Sequence, residues 1–520
     1  MLSIRVGIAV RALLSALALA AVAEDGLSQG CPACSGSACG RWEAPFDWAI
    51  TVCPGDPGCP PSPCSANLGA LTHAVLLVLD TTPVQWRVLF WDEIVSGGTI
   101  QSWYVWDPAS PSVLQQGVSS SLASIIFCGG HSRTRDRRIV VGGGTEWTYS
   151  SPPGPCPNGF QGEEAAYIYD PLGVAPPGEG PGLWTLLSPM VKKHYYPSTV
   201  QFTNDQVGIL AGDAGPIPPG ALPGTTFEVY DPNVPVPALV GSFSYSTVPQ
   251  CPMTYPNATV LPSTNPGQFS ETLFVSVPYH TAWPCGGTTT AINSQRANIP
   301  LTGGFGGTTW LAGPTPATEQ ARADCPAVTL VDLTVTPPSI EVVIGGGKED
   351  PFSVIAPYDS VERVVNPHLG TGWTQLPDLV NARFNHDFIV LPGKILLALG
   401  GETLVGGVVT PVFVPEILDL NSPTCWQALA PHTDDPRGYH SFAMGLPDGR
   451  VLHGGGQRFL LFNYSDARVF NPPNLFAGPR ATIRSAPRDW FYGQVVTVLV
   501  DPVPPGGISS FELIRPDSVT

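Results

Sequence analysis

Residues Arg437-Gly-Tyr-His-Ser-Phe-Ala-Met-Gly-Leu-Pro-Asp-Gly-Arg-Val-Leu-His-Gly-Gly-Gly456 read as an apolar strand, a turn and a second apolar strand closing on three glycines. The ending recurs at Ile139-Val-Val-Gly-Gly-Gly144, Gly208-Ile-Leu-Ala-Gly212, Val342-Val-Ile-Gly-Gly-Gly347 and Ile395-Leu-Leu-Ala-Leu-Gly-Gly401. A later strand in each unit closes on Asp or Asn, usually before Pro. Examples are Trp103-Tyr-Val-Trp-Asp-Pro108, Tyr167-Ile-Tyr-Asp-Pro171, Phe227-Glu-Val-Tyr-Asp-Pro232, Glu416-Ile-Leu-Asp-Leu-Asn421 and Ala467-Arg-Val-Phe-Asn-Pro472.

The physical unit is a blade of four antiparallel strands. Apolar strands bury against neighbouring blades, and glycines let backbones approach near a crowded axis. Proline ends the outer strand because it lacks the donor that a further ladder needs. A period of roughly 50 residues is the kelch signature of a propeller. The expected fold is all-β: a seven-bladed kelch-type β-propeller over residues 69–472, least regular over 235–345. A large β-sandwich or β-helix is the alternative. After Pro472 the pattern changes. Residues 479–487, 494–500 and 509–514 look like three short strands, the start of an immunoglobulin-like β-sandwich over 473–520. That sandwich is incomplete, since about 100 residues are needed for a whole one.

Composition fits. Gly (57) and Pro (59) abound and 43% of residues are hydrophobic, which suits many strands and turns and not disorder. The net charge of −17 argues against nucleic-acid and anionic-membrane partners. Residues 1–23 read as a signal peptide: Arg5 and Arg11 precede an apolar run, and Ala21-Val22-Ala23 offers a cleavage site. The run is short for a membrane anchor, which needs about 20 residues. The expectation is therefore a secreted or periplasmic monomer with no membrane association once the signal is removed. Six of the twelve cysteines (Cys31, Cys34, Cys39, Cys53, Cys59, Cys64) crowd a segment at 24–68. In an exported chain they read as disulfides closing that segment; a zinc site is the weaker alternative.

Tyr439 and His440 place a phenol and an imidazole side by side, both candidate ligands for a redox metal. Neighbours on a regular strand point to opposite faces, so both reach one metal only from a loop or a strand entrance. Cys128, in Phe127-Cys-Gly-Gly-His-Ser132, reads equally as a buried core cysteine or a partner of Cys156. Tyr196, in His194-Tyr-Tyr-Pro-Ser198, reads as a strand aromatic with Tyr195 as its rival. His131 and His453 read as structural, and His386 as a residue that could line a pocket.

These motifs, with Val469-Phe-Asn-Pro-Pro-Asn-Leu-Phe476 and Gly478-Pro-Arg480, resemble the galactose oxidase/glyoxal oxidase family of copper-radical oxidases over most of residues 70–520. The resemblance implies one copper ion on the propeller axis. It implies Tyr196 as an equatorial ligand joined to Cys128 by a thioether, forming a Tyr-Cys radical cofactor, with Tyr439 as axial ligand and base and His440 as the first histidine. Arg383, in Ala382-Arg-Phe-Asn-His386, resembles a blade start where the family can place a substrate-binding arginine; an inter-blade arginine is the alternative. The family's second histidine would align beyond Thr520, leaving the chain as given without that ligand and possible activity in doubt. A tryptophan that stacks over the cross-link in galactose oxidase aligns with Gly212-Asp-Ala-Gly215, which has no aromatic. That tilts the implied substrate towards small aldehydes or other primary alcohols, with O2 as co-substrate and H2O2 as product. A non-catalytic propeller binding glycan or a protein partner is the competing function. A propeller glycosidase would need paired acids with an arginine cluster, which the sequence does not display.

Overall fold

The computed structural model describes residues 2–5, 31–48 and 71–515, apart from segments chiefly at 148–159, 213–225, 245–254, 262–269, 277–293, 301–309, 351–355 and 488–494 and scattered shorter gaps. The expected leader beyond Arg5, Cys53, Cys59, Cys64, Cys156 and the Asp213-Ala-Gly215 stretch lie outside the described residues.

Seven antiparallel blade sheets follow one another along the chain, five of four strands and, in blades 6 and 7, two of five. Blade 1 is Leu71–Thr81, Val84–Ser96, Ile100–Trp106 and Leu114–Val118. Blade 2 is Gly130–Arg133, Ile139–Gly142, Ala166–Asp170 and Leu183–Leu186. Blade 3 is Ser198–Gln201, Val207–Leu210, Thr226–Asp231 and Ala238–Ser244. Blade 4 is Ala258–Leu261, Ser270–Val275, Gln295–Pro300 and Trp310–Ala312. Blade 5 is Ala327–Asp332, Ser339–Gly345, Val361–Val365 and Trp373–Leu376. Blade 6 is Phe384–Leu391, Ile395–Val405, Glu416–Asp419 and Gln427–Ala428. Blade 7 takes only three strands from its own stretch: Ser441–Gly445, Val451–Gly455 and Asp466–Asn471. Its outer edge comes from the other end of the chain, where Arg41–Trp42 and Phe46–Asp47 both pair with Asp466–Asn471.

Seven apolar clusters lie between successive blades. Leu76 and Phe90 of blade 1 meet Phe442 and Leu452 of blade 7, which closes the ring. Leu397 and Leu399 of blade 6 meet Val451 and Phe470 of blade 7, with Trp42 packed against them. Each such side chain contributes about 1.5–3 kcal/mol by leaving water. Blade-to-blade burial is therefore the main force holding the ring.

Sequence alone assigns Arg41–Asp47 to a cysteine-rich segment outside the propeller. The disulfides differ from the expectation in the same way: Cys34 pairs with Cys39, but Cys31 bonds Cys425 in blade 6. Beyond Pro472, Thr482–Ser485 and Thr497–Asp501 pair, and Leu2–Arg5 adds a third strand. The strand expected at 509–514 is not formed where the residues are described: 511–515 run without strand pairing. No sandwich is present among the described residues.

Candidate active site at the propeller mouth

Six blades enter their innermost strand through one non-glycine residue in the left-handed region: Cys128 (φ 63), Tyr196 (φ 60), Tyr255 (φ 44), Asp324 (φ 54), Asn385 (φ 53) and His440 (φ 62). L-residues rarely adopt this conformation, and bulky ones least of all. Backbone bonds between blades hold it. The Tyr196 N–H donates to the Cys128 carbonyl (2.9 Å), Tyr255 N–H to the Tyr196 carbonyl (2.6 Å), and Asn385 N–H to the Asp324 carbonyl (2.9 Å). Six side chains from distant parts of the sequence thus share one position at the mouth of the ring.

The left-handed turn at His440 also resolves the neighbour problem. Tyr439 and His440 precede the strand Ser441–Gly445, and their rings stack face to face, 3.8 Å apart and 25° from parallel. From blade 3, the Tyr196 hydroxyl lies 2.6 Å from the Tyr439 hydroxyl and 3.3 Å from His440 Nε2. Tyr195 stacks on Tyr196 (4.1 Å) and Tyr255 lies against it (4.8 Å). Phe127 meets His440 edge-on at 5.0 Å. Cys128 is a fully buried thiol whose backbone N–H donates to His73 Nε2 at 3.0 Å.

Burial pushes the Tyr196 phenol well above its usual range, and the charges of Cys128, Tyr439, Tyr195 and Tyr255 push it further. Tyr255 is raised by the same causes in the order burial, Cys128, Tyr439 and Tyr195. Burial, then Cys128, likewise raises Tyr195. A phenol so placed ionises near neutral pH only against a cation. Donors sharing one first-row metal at about 2 Å stand about 3 Å apart, and the two phenol oxygens and the imidazole nitrogen are spaced accordingly. The residues present therefore fit a single metal ion. Among the described residues no group of three His, Cys, Asp or Glu could hold one, so such a centre would depend on phenols. Phenolate and imidazole suit copper.

The structure brings Cys128, Tyr196, Tyr439 and His440 to one place. Arg383 is fully buried, as its inter-blade reading expects and a substrate-binding role does not. Its guanidinium pairs with Glu416 and donates to the carbonyls of Gly400 (3.0 Å), Val414 (3.1 Å) and Asn381 (3.2 Å). It is one of a series. His194 pairs with Glu228, Arg322 with Glu362 and Arg437 with Asp466, each basic residue standing two or three positions before its blade's mouth residue. The blade 6 residue at the mouth is Asn385. His131 and His453 are buried among aromatic rings. His386 is buried against Phe388 and Gly346.

Sequence reasoning missed Tyr255, Asp324, Asn385 and Glu402. Glu402 accepts the Tyr439 backbone N–H and, at 3.1 Å, the Asn385 amide. Asn and Asp at a blade entrance carry a weak signal, being enriched in left-handed conformations; Tyr255 carries none.

No family model matches the chain. It is 33% identical to aldehyde oxidase GLOX1 of Arabidopsis thaliana over 138 residues, 23% of this chain and 22% of that protein. It is 32% identical to galactose oxidase of Gibberella zeae over 152 residues, 27% of this chain and 21% of that protein. With aldehyde oxidase GLOX of Vitis pseudoreticulata it shares 30% over 182 residues, 31% of this chain and 34% of that protein. The matched stretches thus span a fifth to a third of these relatives. A fungal alcohol oxidase of the AA5 family, solved in complex with copper, superposes with a TM-score of 0.63 at 17% identity, over 90% of this chain and 85% of its own. That likeness bears out the propeller.

Proposed function

From the chain's relationship to the galactose oxidase and glyoxal oxidase family, we propose that it is a secreted copper-radical oxidase of primary alcohols or aldehydes. The observation that carries this reading is the meeting of Tyr196, Tyr439 and His440 within 2.6–3.3 Å across 243 residues of sequence. Two disulfides support export.

In this reading Tyr196, Tyr439 and His440 would hold one copper ion, and the Cys128 sulfur would bond the Tyr196 ring. Forming that thioether breaks one S–H and one ring C–H bond, and dioxygen takes up the two electrons and two protons as hydrogen peroxide. When bound, copper supplies a one-electron acceptor and a Lewis acid that keeps both phenols ionised. Tyr439 accepts the substrate hydroxyl proton as general base. Tyr196, half-buried against Tyr195 and Tyr255, would store the second oxidising equivalent. An alcohol then loses two electrons and two protons to give an aldehyde, and dioxygen leaves as hydrogen peroxide.

The test is copper loading in air followed by peptide mapping and a peroxide assay with methylglyoxal and simple alcohols. The expected results are a fused Cys128–Tyr196 peptide lacking two hydrogens, and peroxide release. If neither appears, the non-catalytic propeller stands instead.

A further inference from the structure

The backbone on either side of the Cys128 thiol is held from three blades. Trp91 of blade 1 donates its indole N–H to the Ile126 carbonyl at 3.2 Å, and Thr145 its hydroxyl to the Phe127 carbonyl at 3.0 Å. The Cys128 carbonyl accepts the Tyr196 N–H, at the entry to blade 3, at 2.9 Å. The Cys128 amide goes to a side chain: it donates to Nε2 of His73, in blade 1, at 3.0 Å. His73 and Cys128 are both fully buried. The imidazole stacks on Trp91, 4.8 Å away and 12° from parallel. The pairing of Leu71–Thr81 with Val84–Ser96 shifts register between Leu71 and His73, an irregularity of the kind that re-aims a side chain. A neutral imidazole that accepts at Nε2 carries its proton on Nδ1. That Nδ1 is buried with no hydrogen-bond partner among the described residues. A phenylalanine would fill the stack and leave no such orphan. Packing alone therefore does not account for His73, and its acceptor does.

We propose that His73 is a positioning residue that holds Cys128 for its union with Tyr196. The inference rests on the oxidase reading and deepens it. Cys128 stands at φ 63, a conformation that a non-glycine residue keeps only where its surroundings impose it. His73 imposes it from the amide side and the Tyr196 N–H from the carbonyl side. Gly130 completes the approach. A Cβ there would meet the Pro197 carbonyl at 2.6 Å, so the segment after Cys128 lies directly against the one after Tyr196. Burial, then the Cys128 sulfur, raises the Tyr196 phenol, as a near neighbour would. Joining the sulfur to the ring removes one S–H and one ring C–H hydrogen, and dioxygen takes up both as hydrogen peroxide. His73 gives no atom or electron to that step; it fixes where the sulfur waits. A misplacement of about 1 Å can slow such a step about 10²-fold.

The experiment follows thioether formation by intact mass and peptide mapping after copper loading in air. It compares wild type, His73→Phe, His73→Leu and His73→Gln, with melting curves to establish folding. Hydrogen–deuterium exchange at the Cys128 amide is read separately in the copper-free proteins. His73→Phe and His73→Leu remove the acceptor with and without a ring, and His73→Gln restores one. The fused Cys128–Tyr196 peptide is expected about ten- to hundredfold more slowly in the two apolar variants, and within about threefold of wild type in His73→Gln. The Cys128 amide should exchange about three- to tenfold faster in the apolar variants, as loss of one neutral hydrogen bond implies. A packing role alone would spare His73→Phe and gain nothing from His73→Gln. Cross-linking at the wild-type rate in folded His73→Phe or His73→Leu overturns the inference and leaves the oxidase reading standing. Absence of the fused peptide from wild type overturns the oxidase reading and this inference with it. Two variants lack the acceptor so that misfolding of one leaves the other decisive.

Discussion

At the scale of single residues, the left-handed turn decides what the site can do. His440 at φ 62 brings its ring onto Tyr439 and both onto Tyr196, a meeting that a regular strand would forbid. Tyr439→Phe should therefore keep the fold and lower kcat/KM by about 10²–10⁴-fold, the range for loss of a general base, measured as peroxide release. Cys128→Ser should abolish the fused peptide and leave Tyr196 recoverable unmodified by mass spectrometry. The Tyr-His pair and Cys128 stood out in the sequence through the family resemblance alone; by themselves they read as structural residues. Asp324 and Asn385 did not stand out, because the order of blades around the axis, and not local sequence, sets them opposite Tyr196.

At the scale of the blade, the recurring device is a buried basic side chain paired with an acid on the third strand. Glu416 also accepts the backbone N–H groups of Val380 (2.7 Å) and Asn381 (3.1 Å), and Glu228 those of Val191 (2.8 Å) and Lys192 (3.0 Å). Each pair ties the connection before a blade to that blade's interior. Removing the Arg383 guanidinium leaves the buried Glu416 carboxylate without it, so Arg383→Met should cost about 3–5 kcal/mol in urea denaturation. A further expectation is acid sensitivity. Burial, then neighbouring charge, depresses His386 and His453 well below their usual range, and burial, then Arg437, brings His432 to about 4. Unfolded histidines protonate near pH 6.5, so these three stabilise the fold above that pH. The contribution is lost as pH falls and, for His432, is spent by about pH 4. Urea midpoints should fall across that window. The glycine ends of the strands were readable because no other residue fits where Gly143 and Gly346 press on neighbouring blades. The paired acids were hidden: Phe227-Glu-Val-Tyr-Asp231 reads as ordinary alternation, and nothing in it marks Glu228 as facing inward.

At the scale of the whole molecule, the ring is closed by its N-terminal segment. Trp42 donates to the Ala430 carbonyl at 2.8 Å, Ala430 N–H to the Cys39 carbonyl at 3.0 Å, and Cys31–Cys425 fastens the same region covalently. Cys425→Ser should lower stability by about 2–4 kcal/mol, seen as a lower thermal midpoint that a reductant no longer shifts as it shifts wild type. Seven blades were readable from the spacing of glycine ends. The closing strands were not, because two-residue strands have no period to detect and their partners lie more than 400 residues away.

That separation sets a schedule for the newborn protein. Phe46–Asp47 leaves the ribosome before any blade exists, and its partner follows roughly 420 residues later. At about 5–20 residues per second, synthesis alone imposes a wait of roughly 20–80 s. Through that interval the six earlier blades accumulate as an open arc with apolar flanks at both ends. Only the last blade to be translated covers both flanks, packing on blade 1 at one end and on blade 6 at the other.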